Sequence, residues 1–210
     1  AAERLVENVQ RYNNHLTTGF LGTPYLCHVL SANGYDDVAY TLLMQKSYPS
    51  WLYPVTMGAT TIWERWDGIK PDSTFQNPGM NSFNHYAYGA IGEWMYANLM
   101  GLKINEKFPG YKRYNIQPLF DKNFDYVKGS FDSNYGKIQI AWTRKNGKLQ
   151  LSLEIPANTS SDLILNKPMQ GSWKLNNSNL ASKILSQKED NEKTKLVLGS
   201  GKYNFSFEAN

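Results

Sequence analysis

KIQIAWTRKNGKLQLSLEI, residues 137–155, has a period of two in both arms and a turn between them. Leu149, Leu151, Leu153 and Ile155 alternate with Gln150, Ser152 and Glu154, and Ile138, Ile140 and Trp142 repeat the pattern in the first arm. Successive side chains of a strand face opposite ways, so each arm buries one side and wets the other. Asn146-Gly147 between them suits a type I′ turn, whose two central residues both need positive φ. Tyr203, Phe205 and Phe207 form another alternating strand near the end of the chain. Several short strands with turns between them predict an antiparallel β-sandwich from about Tyr111 onward.

Upstream the period is that of helices. Leu5, Val6, Val9 and Tyr12 make one stripe over residues 2–13. After a loop over Leu16–Gly22, Thr23 and Pro24 are an N-cap and first-turn signal for a helix reaching Asn33-Gly34. A third helix, about 36–46, carries Val38, Tyr40, Leu42, Leu43 and Met44. Residues 48–58 read as a loop, and Thr60 or Thr61 as the cap of a short helix that bears Trp63 to Trp66 and ends at Asp67-Gly68. A loop over 69–80 leads to a last helix, about 82–100, closed by Gly101, in which Gly89 and Gly92 would admit a neighbouring helix. The change of period across Leu102–Gly110 divides the chain into expected domains at 1–105 and 106–210.

Bulk composition excludes several classes. The 210 residues suffice for one large domain or two small ones, and 41% hydrophobic with 19% charged residues describes a globular chain. The net charge of +4 is uneven: residues 1–110 hold 7 Lys+Arg against 9 Asp+Glu, residues 111–210 hold 15 against 9. Those lysines are scattered over polar strand faces without interleaved aromatics, which reads as a solvated surface and not as a nucleic-acid site. Cys27 is the single cysteine, within the apolar run Tyr25–Leu30, and reads as a buried inert thiol. His15 and His28 have no cysteine or carboxylate at metal-ligand spacing, so no metal is expected. No cofactor is expected either, since there is no glycine-rich phosphate loop, no GxSxG elbow and no Cys–His arrangement. No stretch approaches a membrane span and no membrane partner is expected. The chain opens without Met and already in helical register, so its compartment is open, with a periplasmic or extracellular setting favoured over the cytoplasm. Asn158, Asn176 and Asn204 each begin a glycosylation sequon.

Residues 58–94, GATTIWERWDGIKPDSTFQNPGMNSFNHYAYGAIGEW, concentrate the chemistry. Glu64 lies between Trp63 and Trp66, and flat apolar faces beside a few acids and amides suit a sugar. A carboxyl group walled by rings loses hydration and gains basicity. In a helix Asp67 would share the face of Glu64; the plainer reading pairs Glu64 with Arg65 or a distant lysine and leaves Asp67 to cap the turn at Gly68. His85 at a helix N-terminus would be a neutral imidazole able to contact a sugar hydroxyl, or a partly buried ring bonded to backbone. Of the rings from Tyr48 to Tyr96, Tyr88, Trp94 and Tyr96 fall in the last helix and read as core. Trp51, Trp63, Trp66 and Phe75 fall in loops or short turns and read as a binding surface.

These segments bring a family resemblance. HLTTGFLGTP (15–24), YPSW (48–51), GATTIWERWDG (58–68) and NSFNHYAYGAIGEW (81–94) resemble the α-L-rhamnosidases of glycoside hydrolase family 78. SFDSNYGKIQIAW (130–142), IPANTS (155–160) and GSGKYNFSF (199–207) resemble the family's C-terminal β-domain. The resemblance implies the last helices of an (α/α)6 barrel followed by an antiparallel β-sandwich, and inverting hydrolysis of terminal α-L-rhamnosides. Glu64 matches the family's general base and His85 a residue that contacts rhamnose, while Trp51 and Trp63 resemble parts of the pocket wall. The implied partner is a rhamnose-containing glycoside or polysaccharide. The family's general acid belongs to an acidic, Arg-containing motif on an earlier barrel helix, and nothing here matches it. The expectation is a C-terminal part of a rhamnosidase holding about four of twelve barrel helices, inactive without the barrel upstream and leaving an exposed aromatic patch. Two other readings remain: a carbohydrate-binding or structural module built on the sandwich, and a different glycosidase on the same barrel.

Overall fold

Residues 1–166, 174–175, 183–189 and 192–208 are described by the structure, a computed structural model. Contacts divide the chain into two compact units, Ala1–Trp94 and Met95–Asn210. Trp173 and the sequon at Asn176 lie outside the described residues.

The first unit holds α1 (Ala2–Arg11), α2 (Thr23–Ala32), α3 (Asp36–Met44), the short α4 (Leu52–Thr56) and the single turn α5 (Ile91–Trp94). Glu3 in the first turn of α1 and Arg11 in its last complement the helix dipole, as do Asp36 and Asp37 at the start of α3. Gly34, at φ +81°, turns the chain between α2 and α3, which pack through Leu26, Cys27, Leu30, Val38, Leu42 and Leu43. Trp94 closes this core. It is fully buried, donates from Nε1 to Ser31 Oγ at 3.0 Å and meets the Tyr40 ring edge-on at 5.4 Å.

Several local expectations are corrected. The cap of α2 is Gly22, and Thr23 lies within the helix with its hydroxyl bonded to the Thr18 carbonyl at 3.0 Å. Trp63–Trp66 form no helix. Thr61 caps nothing; its hydroxyl donates to the Phe83 carbonyl across the loop. The last helix begins at Ala87 rather than Ser82, as a 3-10 turn (Ala87–Ala90), then α5, then a π-helical turn (Met95–Met100). Gly89 meets the Ile62 side chain, at 3.4 Å from an ideal Cβ, and Gly92 has nothing within 4 Å, so no described helix packs on either.

The second unit consists of two five-stranded sheets. One runs β1 (Leu102–Ile104), β2 (Arg113–Ile116), β6 (Ser160–Asn166), β9 (Lys193–Leu198), β8 (Ile184–Glu189). The other runs β3 (Tyr126–Ser133), β4 (Gly136–Lys145), β5 (Lys148–Ile155), β10 (Gly201–Glu208), β7 (Lys174–Leu175). All pairs are antiparallel except β2 with β6. In the β4–β5 hairpin Lys145 opposes Lys148, with Asn146 and Gly147 at φ +51° and +69°, as the type I′ reading requires. Ile138, Ile140, Trp142, Leu149, Leu151, Leu153, Tyr203, Phe205 and Phe207 are all buried, and so are Tyr114, Ile116, Leu163, Leu165, Leu196 and Leu198 of the first sheet. The period-two pattern thus becomes a sandwich core.

Among the described residues of that unit, Asp162 is a fully buried carboxylate. Its Oδ1 accepts Nη2 of Arg113 at 2.8 Å and its Oδ2 meets Nζ of Lys195 at 2.9 Å. β2 and β9 flank β6, and the register places Asn115 and Val197 opposite Asp162, so the cations two residues along each neighbour share its face. Two charge-assisted contacts offset the desolvation of one carboxylate.

Cys27 is buried, and loss of hydration pushes its thiol up to about 12. A raised acid pKa adds stability that is complete below the unfolded value and lost as pH rises through the folded one. Native protein is therefore expected to resist a thiol reagent such as Ellman's at pH 8 and to react in full once unfolded; Cys27→Ala should flatten the alkaline loss of stability above about pH 9. Gly101 makes a sharper backbone test. At φ +90° an added Cβ would stand 2.3 Å from Pro118 N, whereas Gly110, at φ +85°, has nothing within 4 Å. By denaturant unfolding Gly101→Ala should cost about 3 kcal/mol or more and Gly110→Ala only about 1 kcal/mol.

Candidate functional site

The loop from Gly58 to Tyr86 is held by pairing between two of its own segments. Glu64 N donates to Ser82 O at 2.8 Å, and His85 N donates to Ile62 O at 2.9 Å. Ser82 N in turn donates to Glu64 Oε2 at 2.8 Å, so the carboxylate is anchored by the backbone of the segment that carries His85. Between them the chain folds into a small excursion: Lys70 N donates to Thr74 O, Ser73 takes φ +65°, and Asp72 Oδ1 accepts both Thr74 N–H and Thr74 O–H. Those two bonds hold the Asp72 carboxyl below its usual range. Asn81 Nδ2 and Gln76 N both donate to the Gly68 carbonyl at 3.0 Å, drawing the excursion back onto the WERWDG segment.

Rings build the rest. Trp66 stacks on Tyr88 at 3.7 Å and 22°, and Trp51 meets Trp66 edge-on while donating from Nε1 to Tyr88 O at 2.9 Å. Phe20 stacks on His85 at 4.8 Å and tilts against Tyr88 at 5.0 Å. The result is an open cleft of ≈ 300 Å³ lined by Gly19, Phe20, Tyr48, Glu64, Arg65, Trp66, Asp67, Met80 and Tyr88. Burial raises the Tyr88 phenol above its ordinary range, Tyr48 adding to the effect and Arg65 opposing it.

Two carboxylates share the cleft in different states of engagement. Asp67 accepts Arg65 Nε on Oδ1 at 3.3 Å and Gln76 Nε2 on Oδ2 at 2.6 Å. Glu64 is anchored on Oε2 alone, and its Oε1 accepts no hydrogen bond from another described residue. The anticipated Glu64–Arg65 pair does not form, because Arg65 takes Asp67. His85 is half-buried at the margin of the cleft, sandwiched by Phe20 and Tyr86, with Ala87 N–H aimed at Nδ1 at 3.4 Å. In a neutral ring that arrangement leaves the proton on Nε2, which makes no hydrogen bond to the backbone.

Trp51 and Trp63 are both buried and line no part of this cleft. Trp51 lies behind Trp66 and Tyr88, and Trp63 packs edge-on against Phe83 at 5.1 Å. Phe75 is largely exposed beside Phe83. Tyr88 is buried, as expected of a core residue, and also lines the cleft. Phe20, Tyr48 and Met80 were not singled out from the sequence; they come from three separate loops that carry no periodic signal. Among the described residues no cluster of His, Cys, Asp and Glu could hold a metal ion, and no helix is long and apolar enough to cross a membrane.

Comparison with known proteins accounts for both units. Residues 1–99 match the family model of the bacterial alpha-L-rhamnosidase 6 hairpin glycosidase domain, and residues 101–178 that of the bacterial alpha-L-rhamnosidase C-terminal domain. An alpha-L-rhamnosidase of Streptomyces avermitilis is 46% identical over 163 residues, covering 78% of this chain and 16% of that protein. One from Formosa agariphila is 38% identical over 209 residues, covering 98% and 22%. The crystal structure of a Streptomyces avermitilis alpha-L-rhamnosidase complexed with L-rhamnose superposes over 98% of this chain and 19% of its own, at TM-score 0.86 and 38% identity. The alpha-L-rhamnosidase structure from Dictyoglumus thermophilum does so at TM-score 0.83 and 32% identity. The chain thus spans about a fifth of the length of the relatives it matches.

Gly68 is where this site tolerates least. An ideal Cβ there would stand 3.0 Å from Asn81 Oδ1, 3.0 Å from Trp63 Cε3 and 3.1 Å from Phe83 Cε1. Gly68→Ala is expected to lower stability by about 1–3 kcal/mol through overpacking, read by denaturant unfolding followed by tryptophan fluorescence.

Proposed function

The chain belongs to the bacterial α-L-rhamnosidase family, glycoside hydrolase family 78, contributing helices of the (α/α)6 barrel and the C-terminal β-sandwich, and on that premise we propose that it carries the water-activating half of an inverting glycosidase. The observation that supports this reading is the half-engaged carboxylate of Glu64. One oxygen is anchored by Ser82 N–H, the other accepts no hydrogen bond from another described residue, and Glu64 lines the cleft. A general base needs such a fixed orientation with a lone pair directed at the water it deprotonates.

In this reading the water bound at Glu64 Oε1 attacks the anomeric carbon of a terminal α-L-rhamnoside as its proton passes to Glu64. The departing oxygen takes a proton from an acid on the opposite face of the sugar, and the configuration inverts. The two carboxyl groups of such a pair stand about 6.5–9.5 Å apart to leave room for the water. Asp67 is a poor candidate for the acid because both of its oxygens already accept hydrogen bonds. We assign the acid to a part of the barrel outside residues 1–210, consistent with the small share of its relatives that this chain spans. His85 would donate from Nε2 to a sugar hydroxyl, its ring plane held by Phe20, while Trp66 and Tyr88 offer the apolar face of the sugar a wall. The substrate is a rhamnose-containing glycoside or polysaccharide, and the proton transfers require no cofactor.

In the complete enzyme Glu64→Gln should lower kcat by about 10²–10⁴-fold while leaving rhamnose affinity within a few-fold. Unchanged turnover would remove Glu64 from the chemistry. Proton NMR of the wild-type reaction should show β-L-rhamnose as the first-formed anomer; initial release of the α anomer would rule out inversion. The isolated 210 residues should not hydrolyse 4-nitrophenyl α-L-rhamnoside, and measurable turnover would refute an acid located elsewhere.

A further inference from the structure

The outward face of the second sheet carries a site that the proposed hydrolysis does not use. Strand register sets its composition. Tyr126 of β3 opposes Thr143 of β4, which opposes Gln150 of β5, so these three side chains form one row across the sheet. Lys145 and Lys148 flank the β4–β5 turn on the same face, and Lys128 lies two residues along β3 from Tyr126. The opposite face of these strands is the sandwich core, so the row points away from it.

Here the surface is concave. A cleft of ≈ 860 Å³ is lined by Tyr126, Thr143, Lys145, Lys148 and Gln150, with Asp125, Arg144 and Asn146 beside them. Tyr126 is 70% exposed, which leaves an aromatic ring in water at the lip of a polar groove. Lys128 and Lys145 pair with no carboxylate among the described residues, whereas Lys202, farther along the sheet, is neutralised by Glu154 at 3.3 Å. Lys128 lies outside the cleft and Lys148 stands opposite Glu208 of β10, so Lys145 is the ammonium group of the cleft that pairs with no carboxylate among the described residues, and the groove combines a ring for stacking, a hydroxyl and an amide on its floor, and that cation at its rim.

We propose that this groove is a non-catalytic binding site for an acidic polysaccharide whose charged sugars are uronates. The ring stacks on the apolar face of one sugar, Thr143 and Gln150 bond its hydroxyls, and Lys145 and Lys148 meet the carboxylate. Asp125 within the same cleft moderates the positive field, which favours a polymer with one carboxylate per sugar over a densely sulfated one. A single ring with a hydroxyl-matched floor also favours a glycan over single-stranded nucleic acid, which calls for successive stacking platforms. The proposal does not depend on the role of Glu64.

Affinity electrophoresis of the full 210-residue chain through polygalacturonate tests it, with dextran as the neutral polymer, dextran sulfate as the sulfated one, and fluorescence anisotropy with a 20-nucleotide oligothymidylate alongside. Retardation is expected in polygalacturonate and not in dextran. Lys145→Gln/Lys148→Gln should weaken it at least tenfold. Tyr126→Ala and Tyr126→Leu should each weaken it about fivefold, the second keeping apolar bulk without the ring. Lys107→Gln/Lys122→Gln, which removes the same charge elsewhere, should leave it unchanged, with near-UV circular dichroism confirming that each variant is folded. No retardation, equal loss in the control variant, indifference to both Tyr126 substitutions, or tighter binding of dextran sulfate or oligothymidylate would each overturn the proposal.

Discussion

The hydrogen bonds that tie Thr61–Glu64 to Ser82–His85 govern the candidate site. Glu64 takes part twice, through its backbone N–H and through its carboxylate, so the same short contact that shapes the loop also aims the functional group. About twenty residues separate the two segments, and the intervening chain has little regular structure to hold it. Buried backbone groups need partners wherever secondary structure does not supply them. Here the partners are the opposite arm of the loop and the side chains of Asn81 and Thr61, while the Gln76 side chain holds the Asp67 carboxylate. The close fit at Gly68 follows, because Trp63, Phe83 and Asn81 converge on its α-carbon.

Rigidity comes from different sources in the two units. The sandwich is held by ladders whose register is specified by burial: slipping one strand by a single residue would turn its apolar row to water. The buried Asp162 carboxylate is neutralised from both neighbouring strands. The helical unit has short helices and long connections, and relies on rings. Trp94 closes the helical core, while the Trp51–Trp66–Tyr88 cluster backs the cleft. Tyr88, on a 3-10 turn, is buried in this cluster and also contributes to the cleft.

Sandwich and hairpin were legible because alternation and a turn dipeptide are local signals read over a handful of residues. The longer helices were legible for the same reason, within a residue or two at their ends. Trp63–Trp66 were not. Their spacing fits a helical turn, yet the backbone donors that would have started one are used instead across the loop, as in Glu64 N to Ser82 O. Arg65 was equally ambiguous: two acids lay within reach in sequence, and geometry gave it to Asp67. Phe20 and Tyr48 carried no signal because each sits in an irregular segment, and Met80 because it ends a single 3-10 turn too short for a periodic pattern.

Residue types alone determined the two-part architecture, the inertness of Cys27, the single carboxylate set among tryptophans and the resemblance to rhamnosidases, since each depends on local pattern or on the identity of short motifs. Tertiary structure decided which oxygen of Glu64 is anchored, that Asp67 is already engaged, which rings face the cleft and which stand behind it, and that an exposed tyrosine shares a groove with Lys145 and Lys148. Those features depend on hydrogen bonds and ring contacts between residues far apart in the chain. Such contacts compete for the same donors and faces, and only the folded arrangement resolves that competition.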